Sequence, residues 1–324
     1  MLLKPFEQAA MITGLRALVH RLDSSHPLHI KISQDLQQLE AGDFGEQSII
    51  RELQKLSRSV EIYILHNITL FEPVPIQLDV VVITPYAVVI IESKNIRGNI
   101  ELKRSPRQMV RVLENGDKHI FNHPEIQLDE YIFGLSEFFK QLNLQAEIFG
   151  IIVFPFNNAE VYYEKGKYPV LMRRELTYFL RQHINNSKSK NKIPTSKIAN
   201  LLLKHHRVFQ TTPLCIHYNI DPKAIKKGIF CRHCYQFKLI RQKQSWFCPK
   251  CKIYDKTAAD QALQDYCVLI DEKINTQTAR YFLELSNRHL AKRIVQEYSN
   301  KKEGHNNQTV YYLKIGNDAG EISS

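Results

Sequence analysis

Three ionisable side chains sit in otherwise apolar surroundings between Gln77 and Lys94, where the chain reads Gln-Leu-Asp-Val-Val-Val-Ile-Thr-Pro-Tyr-Ala-Val-Val-Ile-Ile-Glu-Ser-Lys. Two runs rich in Val and Ile flank Thr84-Pro85-Tyr86-Ala87, which predicts a β-hairpin. If Ile83 pairs with Val88, the antiparallel register sets Asp79 opposite Glu92 and Gln77 opposite Lys94. Side chains alternate along a strand, so these four project to one side. Two facing carboxylates repel. A divalent cation is the simplest relief, because Mg2+ is commonly held by one or two carboxylates and keeps waters for a substrate. The plainer reading is a solvated hairpin end with an ordinary Glu92–Lys94 ion pair.

A second set of residues points to a different metal. Cys231-Arg232-His233-Cys234 and Cys248-Pro249-Lys250-Cys251 are two Cys-x-x-Cys pairs separated by thirteen residues. That spacing suits a closed tetrahedral four-thiolate zinc site, with Tyr235 to Phe247 forming the hairpin of a zinc ribbon. His233 lies inside the first pair and is not needed as a ligand, while Cys215 and Cys267 read as core residues. Lys238, Arg241, Lys243 and Lys252, interleaved with Tyr235, Trp246 and Tyr254, make a basic and aromatic surface of the kind that contacts nucleic acid. Lysines solvated around a protein-contact module are the alternative.

The elements that must position these groups follow from periodicity. Leu15, Leu18, Val19 and Leu22 recur at helical spacing within an N-terminal helical segment, residues 1–35. A helix is expected to start near Gly42, with Asp43 as its N-cap, Glu46 in its first turn and Ile49, Ile50, Leu53 and Leu56 on its apolar face. Ile62 to His66 reads as a strand, Gly98 as a turn, and Met109 to Phe121 as a hairpin turning at Asn115-Gly116. A helix over about 125–142 carries Gln127 in its first turn, and a strand over 147–154 precedes an irregular stretch and a helix over about 174–183. Strands and helices mixed in this way predict an α/β layered domain over 36–185.

The polar, basic stretch Asn185 to Lys192 then reads as an exposed linker within a linker and connecting helix over 186–227. The zinc ribbon would occupy 228–256, a small helical module 257–300, and a tail 301–324 whose Val310 to Leu313 could form a short strand. Within the helical module, 278–295 resembles a helix-turn-helix with Glu284 where glycine is usual and Ser286 capping a second helix. That helix carries Arg288, His289, Lys292 and Arg293 on its polar face. A plain helical hairpin fits the same pattern.

Composition bounds the partners. The 324 residues carry a formal net charge of +11 and a pI near 9.2, with a mean hydropathy of −0.31. Such a balance suits an anionic partner, nucleic acid first and anionic membrane second. No window of 18 uncharged apolar residues appears, and the first residues carry acid and base too early for a secretory leader, so a cytoplasmic protein is expected. Six cysteines, four of them in Cys-x-x-Cys pairs, fit metal binding in a reducing compartment better than a disulfide scaffold.

The order Gly45-Glu46, Gln77-Leu78-Asp79, Ile91-Glu92-Ser93-Lys94-Asn95, Gly98, then Asn122, Pro124 and Gln127 resembles the nuclease-related domain family, NERD, over about residues 40–155. That family is a branch of the restriction-endonuclease-like superfamily. The resemblance implies a restriction-endonuclease-like mixed sheet flanked by helices and a divalent-metal-dependent nuclease that hydrolyses phosphodiester bonds of nucleic acid, with DNA favoured. It implies that Asp79 and Glu92, with the Ser93 carbonyl, hold Mg2+ or Mn2+ and that Lys94 acts on the attacking water and phosphate. Glu46 would join the metal shell through water, and Gln127 would orient Lys94. The segment after Gly98 lacks a Trp often found there, and Leu78 stands where Ile is commoner. Two other readings stay open: a domain that keeps the fold without activity and binds nucleic acid or a protein, and a zinc-ribbon transcription regulator. No membrane partner is expected, and homo-oligomerisation stays open.

Overall fold

The computed structural model describes residues 1–187, 191–207 and 212–314, the side chain of Asn307 excepted. In chain order it opens with β1 (Leu2–Lys4), α1 (Ala10–Arg21) and the long α2 (His29–Leu56), then β2 (Tyr63–Leu70), β3 (Ile76–Ile83), β4 (Ala87–Ser93), β5 (Gly98–Arg104), β6 (Arg107–Val112) and β7 (Lys118–Asn122). Next come α3 (Pro124–Gln141), β8 (Glu147–Phe154), β9 (Ala159–Tyr163), β10 (Val170–Met172), α4 (Arg173–Asn186) and α5 (Thr195–His205). The remainder holds α6 (Leu214–His217), β11 (Ile240–Gln242), β12 (Ser245–Phe247), β13 (Tyr254–Asp255) and α7 (Ala258–Leu269). It ends with β14 (Lys273–Asn275), α8 (Thr276–Phe282), α9 (Arg288–Tyr298), β15 (Ser299–Glu303) and β16 (Val310–Leu313). The chain is a mixed α/β protein and divides into two units: Met1–Gln8 with Leu39–Phe209, and Ala9–Gln38 with the residues from Gln210 onward. Helix α2 contributes its first ten residues to the second unit and the rest to the first.

In the first unit the runs of Val and Ile build a six-stranded mixed sheet in the order β1-β2-β3-β4-β8-β10. Strands β2, β3 and β4 pair antiparallel, while β4 and β10 lie parallel to β8. Both faces are buried, which is why β3 and β4 read as continuous apolar runs rather than as an alternation. Val81, Ile83, Val88 and Ile90 pack with Leu128 and Leu135 of α3 and Ile198 and Leu202 of α5. On the other face Val80, Val82, Val89 and Ile91 meet Ile49, Ile50 and Leu53 of α2 and Leu176 and Leu180 of α4. A second, four-stranded sheet follows the order β7-β6-β5-β9, and its Ile100, Leu102 and Met109 join the α3-side core.

Several local expectations change here. Helix α2 does not begin at Asp43; it runs unbroken from His29, so Asp43 is no N-cap and Glu46 lies mid-helix rather than in a first turn. Gly45 sits inside because a Cβ there would come within 2.9 Å of Asn95 and 3.0 Å of Pro155. Gly98, with φ +97°, is the first residue of β5 rather than a turn residue, and the strand character of β5 comes from pairing with β6 and β9. Asn185 and Asn186 belong to α4, whereas residues 188–190 of the expected linker lie outside the described residues.

The second unit has its own core, in which Leu15 and Leu18 of α1 and Leu22 pack with Leu214, Leu263, Phe282 and Val295. Arg21 is buried there but fully engaged: its Nε donates to Asp265 Oδ2 at 2.8 Å, and one terminal nitrogen donates to the carbonyls of Lys226 and Gly228. Strands β11, β12 and β13 form a small sheet between and beyond the cysteine pairs, and β14, β16 and β15 form another in that order. The cap of α9 is Asn287 rather than Ser286, since the Asn287 side chain accepts the N–H groups of His289 and Leu290. Val310 to Leu313 is the expected strand, but its partner β15 was not legible, because Ser-Asn-Lys-Lys-Glu has no apolar residue. Residues 315–324 of the tail lie outside the described residues.

Candidate active site

The hairpin register is the one read from the sequence, Ile83 against Val88 through Val80 against Ile91. One further step sets Asp79 beside Glu92 at the end of the ladder, on the face that carries α3. The Ser93 N–H donates to Asp79 Oδ2 at 3.3 Å, which ties the two strands together through the carboxylate. Glu92 is only 2 % exposed, and Lys94 Nζ sits 2.6 Å from its Oε1. Its other oxygen, Oε2, is buried with no hydrogen-bond partner. Lys94 Nζ also donates to Gln127 Oε1 at 3.0 Å, and Gln127 Nε2 donates to Tyr131 Oη at 2.6 Å. Asp79, Glu92, Lys94 and Gln127 thus meet as one connected group.

Glu46 reaches this group through its charge rather than through a hydrogen bond. Its Oε2 lies 2.8 Å from His66 Nε2. His66 stands on β2 opposite Val80, on the α2 face of the sheet. The ring accepts the Glu7 N–H at Nδ1, so Nε2 carries the proton and donates to Glu46. Burial lowers the His66 pKa to about 4, the Lys4 charge adding to the effect, and this holds the imidazole neutral. The Glu46 carboxyl is raised to about 8, first by burial and then by the charges of Asp43 and Glu92.

Asp79 is pushed well above the usual carboxylate range by burial, with Glu92 and Glu46 adding to the shift. Glu92 is raised by burial, against the opposing pull of Lys94. Three carboxyls that resist ionising around one lysine form a site short of positive charge. An orphaned carboxylate oxygen beside Asp79 has the hard-donor chemistry of an Mg2+ or Mn2+ ligand.

The four cysteines form the other centre. Cys231, Cys234, Cys248 and Cys251 bring their Sγ atoms within 4.8 Å of one another, the only such group of three or more metal-binding side chains among the described residues. The Sγ atoms of Cys231 and Cys251 are 3.9 Å apart, as are those of Cys234 and Cys248. Four thiolates about 2.3 Å from a tetrahedral zinc would stand about 3.8 Å apart. The two knuckles repeat one turn: Tyr235 and Lys252, each just after the second cysteine of its pair, adopt φ +51° and +55° and donate backbone N–H groups to the carbonyls of Cys231 and Cys248. The Cys251 N–H also donates to Cys248 Sγ at 3.3 Å. The cluster is compatible with a zinc ribbon.

The basic residues singled out in the sequence fall on and around the β11–β13 sheet and on α9. Lys238 Nζ pairs with Glu284 at 2.6 Å, Arg241 lies over the Trp246 ring, and Lys243 takes φ +52° at the β11–β12 turn. Arg288, Lys292 and Arg293 are exposed along α9. Sequence reasoning missed His66 and Tyr131. Tyr131 carried a signal, since residues four apart share a helix face and Gln127 was already in view. His66 carried none without the β2–β3 register.

The arrangement defines a class: a mixed sheet between helices whose central strands end in an acid pair and a lysine, joined in one chain to a four-cysteine module. Residues 41–155 match the family NERD, described as nuclease-related domain, and that stretch contains Glu46, Asp79, Glu92, Lys94 and Gln127. That stretch is therefore similar to a nuclease-related domain. No curated protein and no solved structure matches the chain. Among the described residues no helix is long and apolar enough to cross a membrane.

Proposed function

We propose that the first unit is a divalent-metal-dependent nuclease acting on DNA. The observation that carries this reading is the buried, unpartnered Oε2 of Glu92 beside Asp79 and Lys94 in a nuclease-related domain. Asp79 and Glu92 would hold the cation, which when bound neutralises phosphate charge and lowers the pKa of water. In hydrolysis a water oxygen bonds to phosphorus, the P–O ester bond breaks, and the leaving oxygen takes up a proton. Lys94 acts on charge that grows during this step, its ammonium aimed by Glu92 and Gln127. Tyr131 limits the rotation of Gln127, and Glu46, fixed by His66, adds a third carboxyl at the edge of the site. The four-cysteine module would hold structural zinc, and its unpaired thiols suit the cytoplasm expected from the sequence.

The test is cleavage of labelled DNA with Mg2+ or Mn2+ added. Asp79→Ala, Glu92→Gln and Lys94→Ala should each lower the rate by about a hundredfold or more while leaving DNA affinity intact. A wild type that cuts neither duplex nor single strand with either ion overturns the reading. It would favour a second one, a binding protein that keeps the fold. That alternative draws on a specific observation: no third metal-binding side chain joins Asp79 and Glu92 within 4.8 Å among the described residues.

A further inference from the structure

The order α7–β14–α8–α9–β15–β16 is a helix-turn-helix followed at once by a β-hairpin. Helices α8 and α9 pack through Ala279, Phe282, Leu283, Ala291, Ile294 and Val295, all buried. The turn between them is made by Glu284, which adopts φ +54° where glycine is the usual residue. Strand β15 begins at Ser299, the residue after α9 ends, so the hairpin is anchored to that helix. Strand β16 lies between β14 and β15, which fixes the hairpin to the strand before the helix pair. Its tip turns at Gly304, φ +81°.

The outward face of α9 is chemically one-sided. At about 100° a residue, Arg288, Lys292, Gln296, His289 and Arg293 fill an arc of roughly 140°, all exposed, and Glu297 lies at its border. Lys301 and Lys302 on β15 add two exposed lysines directly after α9, one on each face of the ribbon. Lys301 is paired with Glu303 at 2.6 Å.

We infer that α9 and the β15–β16 hairpin form one docking surface for double-stranded DNA, with α9 in the major groove and the hairpin along the neighbouring phosphates. Charge chooses an anionic partner, and shape chooses the duplex. A bare helix about 16 Å long suits the roughly 12 Å major groove of B-DNA. The major groove of A-form RNA is too narrow for side chains to read, and single strands are held on aromatic platforms that the exposed arc of α9 does not offer. Arg288, His289 and Lys292, in the first turns of the second helix, are the side chains that would reach base edges. Lys302 would add phosphate attraction without reading sequence.

The inference does not depend on catalysis, and the test keeps the two apart. Full-length protein, zinc retained and no other divalent ion added, is titrated by fluorescence anisotropy against a mixed-sequence 30-base-pair duplex, its single strand and the matching RNA duplex. The expected result is at least tenfold preference for the DNA duplex. Arg288→Ala with Lys292→Ala should weaken duplex binding about thirtyfold or more, and Lys302→Ala a few-fold. The slope of log affinity against log salt should flatten by about one for each lost phosphate contact. The titration reads binding alone, with no Mg2+ or Mn2+ present, so a failed nuclease reading leaves this result untouched. Circular dichroism confirms that the variants fold. Binding by the folded double variant within twofold of wild type, or equal binding of single strand or RNA, overturns the inference.

Discussion

At the residue scale, the carboxyls around Lys94 make opposite demands on protons from those of His66. Glu46 is raised from 4.5 to about 8, so its contribution to stability is full below pH 4.5 and is lost as pH climbs toward 8. His66 is lowered from 6.5 to about 4, so its contribution is full above pH 6.5 and is lost as pH falls toward 4. Over pH 4.5–6.5 the two slopes oppose each other; from pH 6.5 to 8 the loss from Glu46 is unopposed by His66, and Asp79, itself raised well above the usual range, adds to it. In the metal-free protein the melting temperature of the first unit should therefore fall more steeply across the upper window than across the lower one. Mg2+ competes with these protons, so it should raise the melting temperature more at pH 8 than at pH 6. Equal shifts at the two pH values would count against a cation held by these carboxyls. The acids and the lysine were legible because an ionisable residue stands out in a Val- and Ile-rich run. His66 was not, because its relation to Glu46 depends on a strand pairing and a helix that meet only in three dimensions.

At the scale of elements, the pair β3–β4 could be read from the sequence down to its register, since the short loop 84–87 fixes which residues face each other. Strands β5, β9 and β15 could not, because each becomes a strand through the partner it pairs with rather than by its own pattern. The start of α2 was misplaced for a related reason. Gly42 and Asp43 look like a helix beginning, yet the apolar positions on either side keep one helix running through them. The four-cysteine module presents the reverse case, legible from four residues. Its sheet is short, with strands of two or three residues, so a metal held by its thiols would supply much of its stability. Cys248→Ser, or a strong zinc chelator, should abolish the near-ultraviolet signal of buried Trp246, while β3 and β4 keep their amide protection in hydrogen exchange. At the second helix pair, Asn287→Ala removes two capping acceptances and should cost about 1 kcal/mol in a denaturant melt of the second unit.

At the scale of the molecule, neither unit is a continuous piece of chain. Residues 9–38 belong with those from 210 onward, and the first eight belong with 39–209. A fragment of residues 210–324 would lack Leu15, Leu18 and Leu22, each about 1 % exposed or less in the core it leaves behind. Large-to-small changes at such sites cost about 2–5 kcal/mol each, so losing three whole side chains should leave the fragment without a cooperative melt. Adding a peptide of residues 9–38 in trans should restore it. A fragment that melts cooperatively alone would mean that the core closes without α1.

This interleaving also matters while the protein is being made. Residues 9–38 leave the ribosome early, but their partners in the core follow only after more than 170 further residues have been added. At about 5–20 residues a second, that wait is on the order of ten to thirty seconds. Throughout it the apolar face of α1 has no finished core to join, which makes the nascent chain a natural client for chaperones that shelter exposed hydrophobic helices.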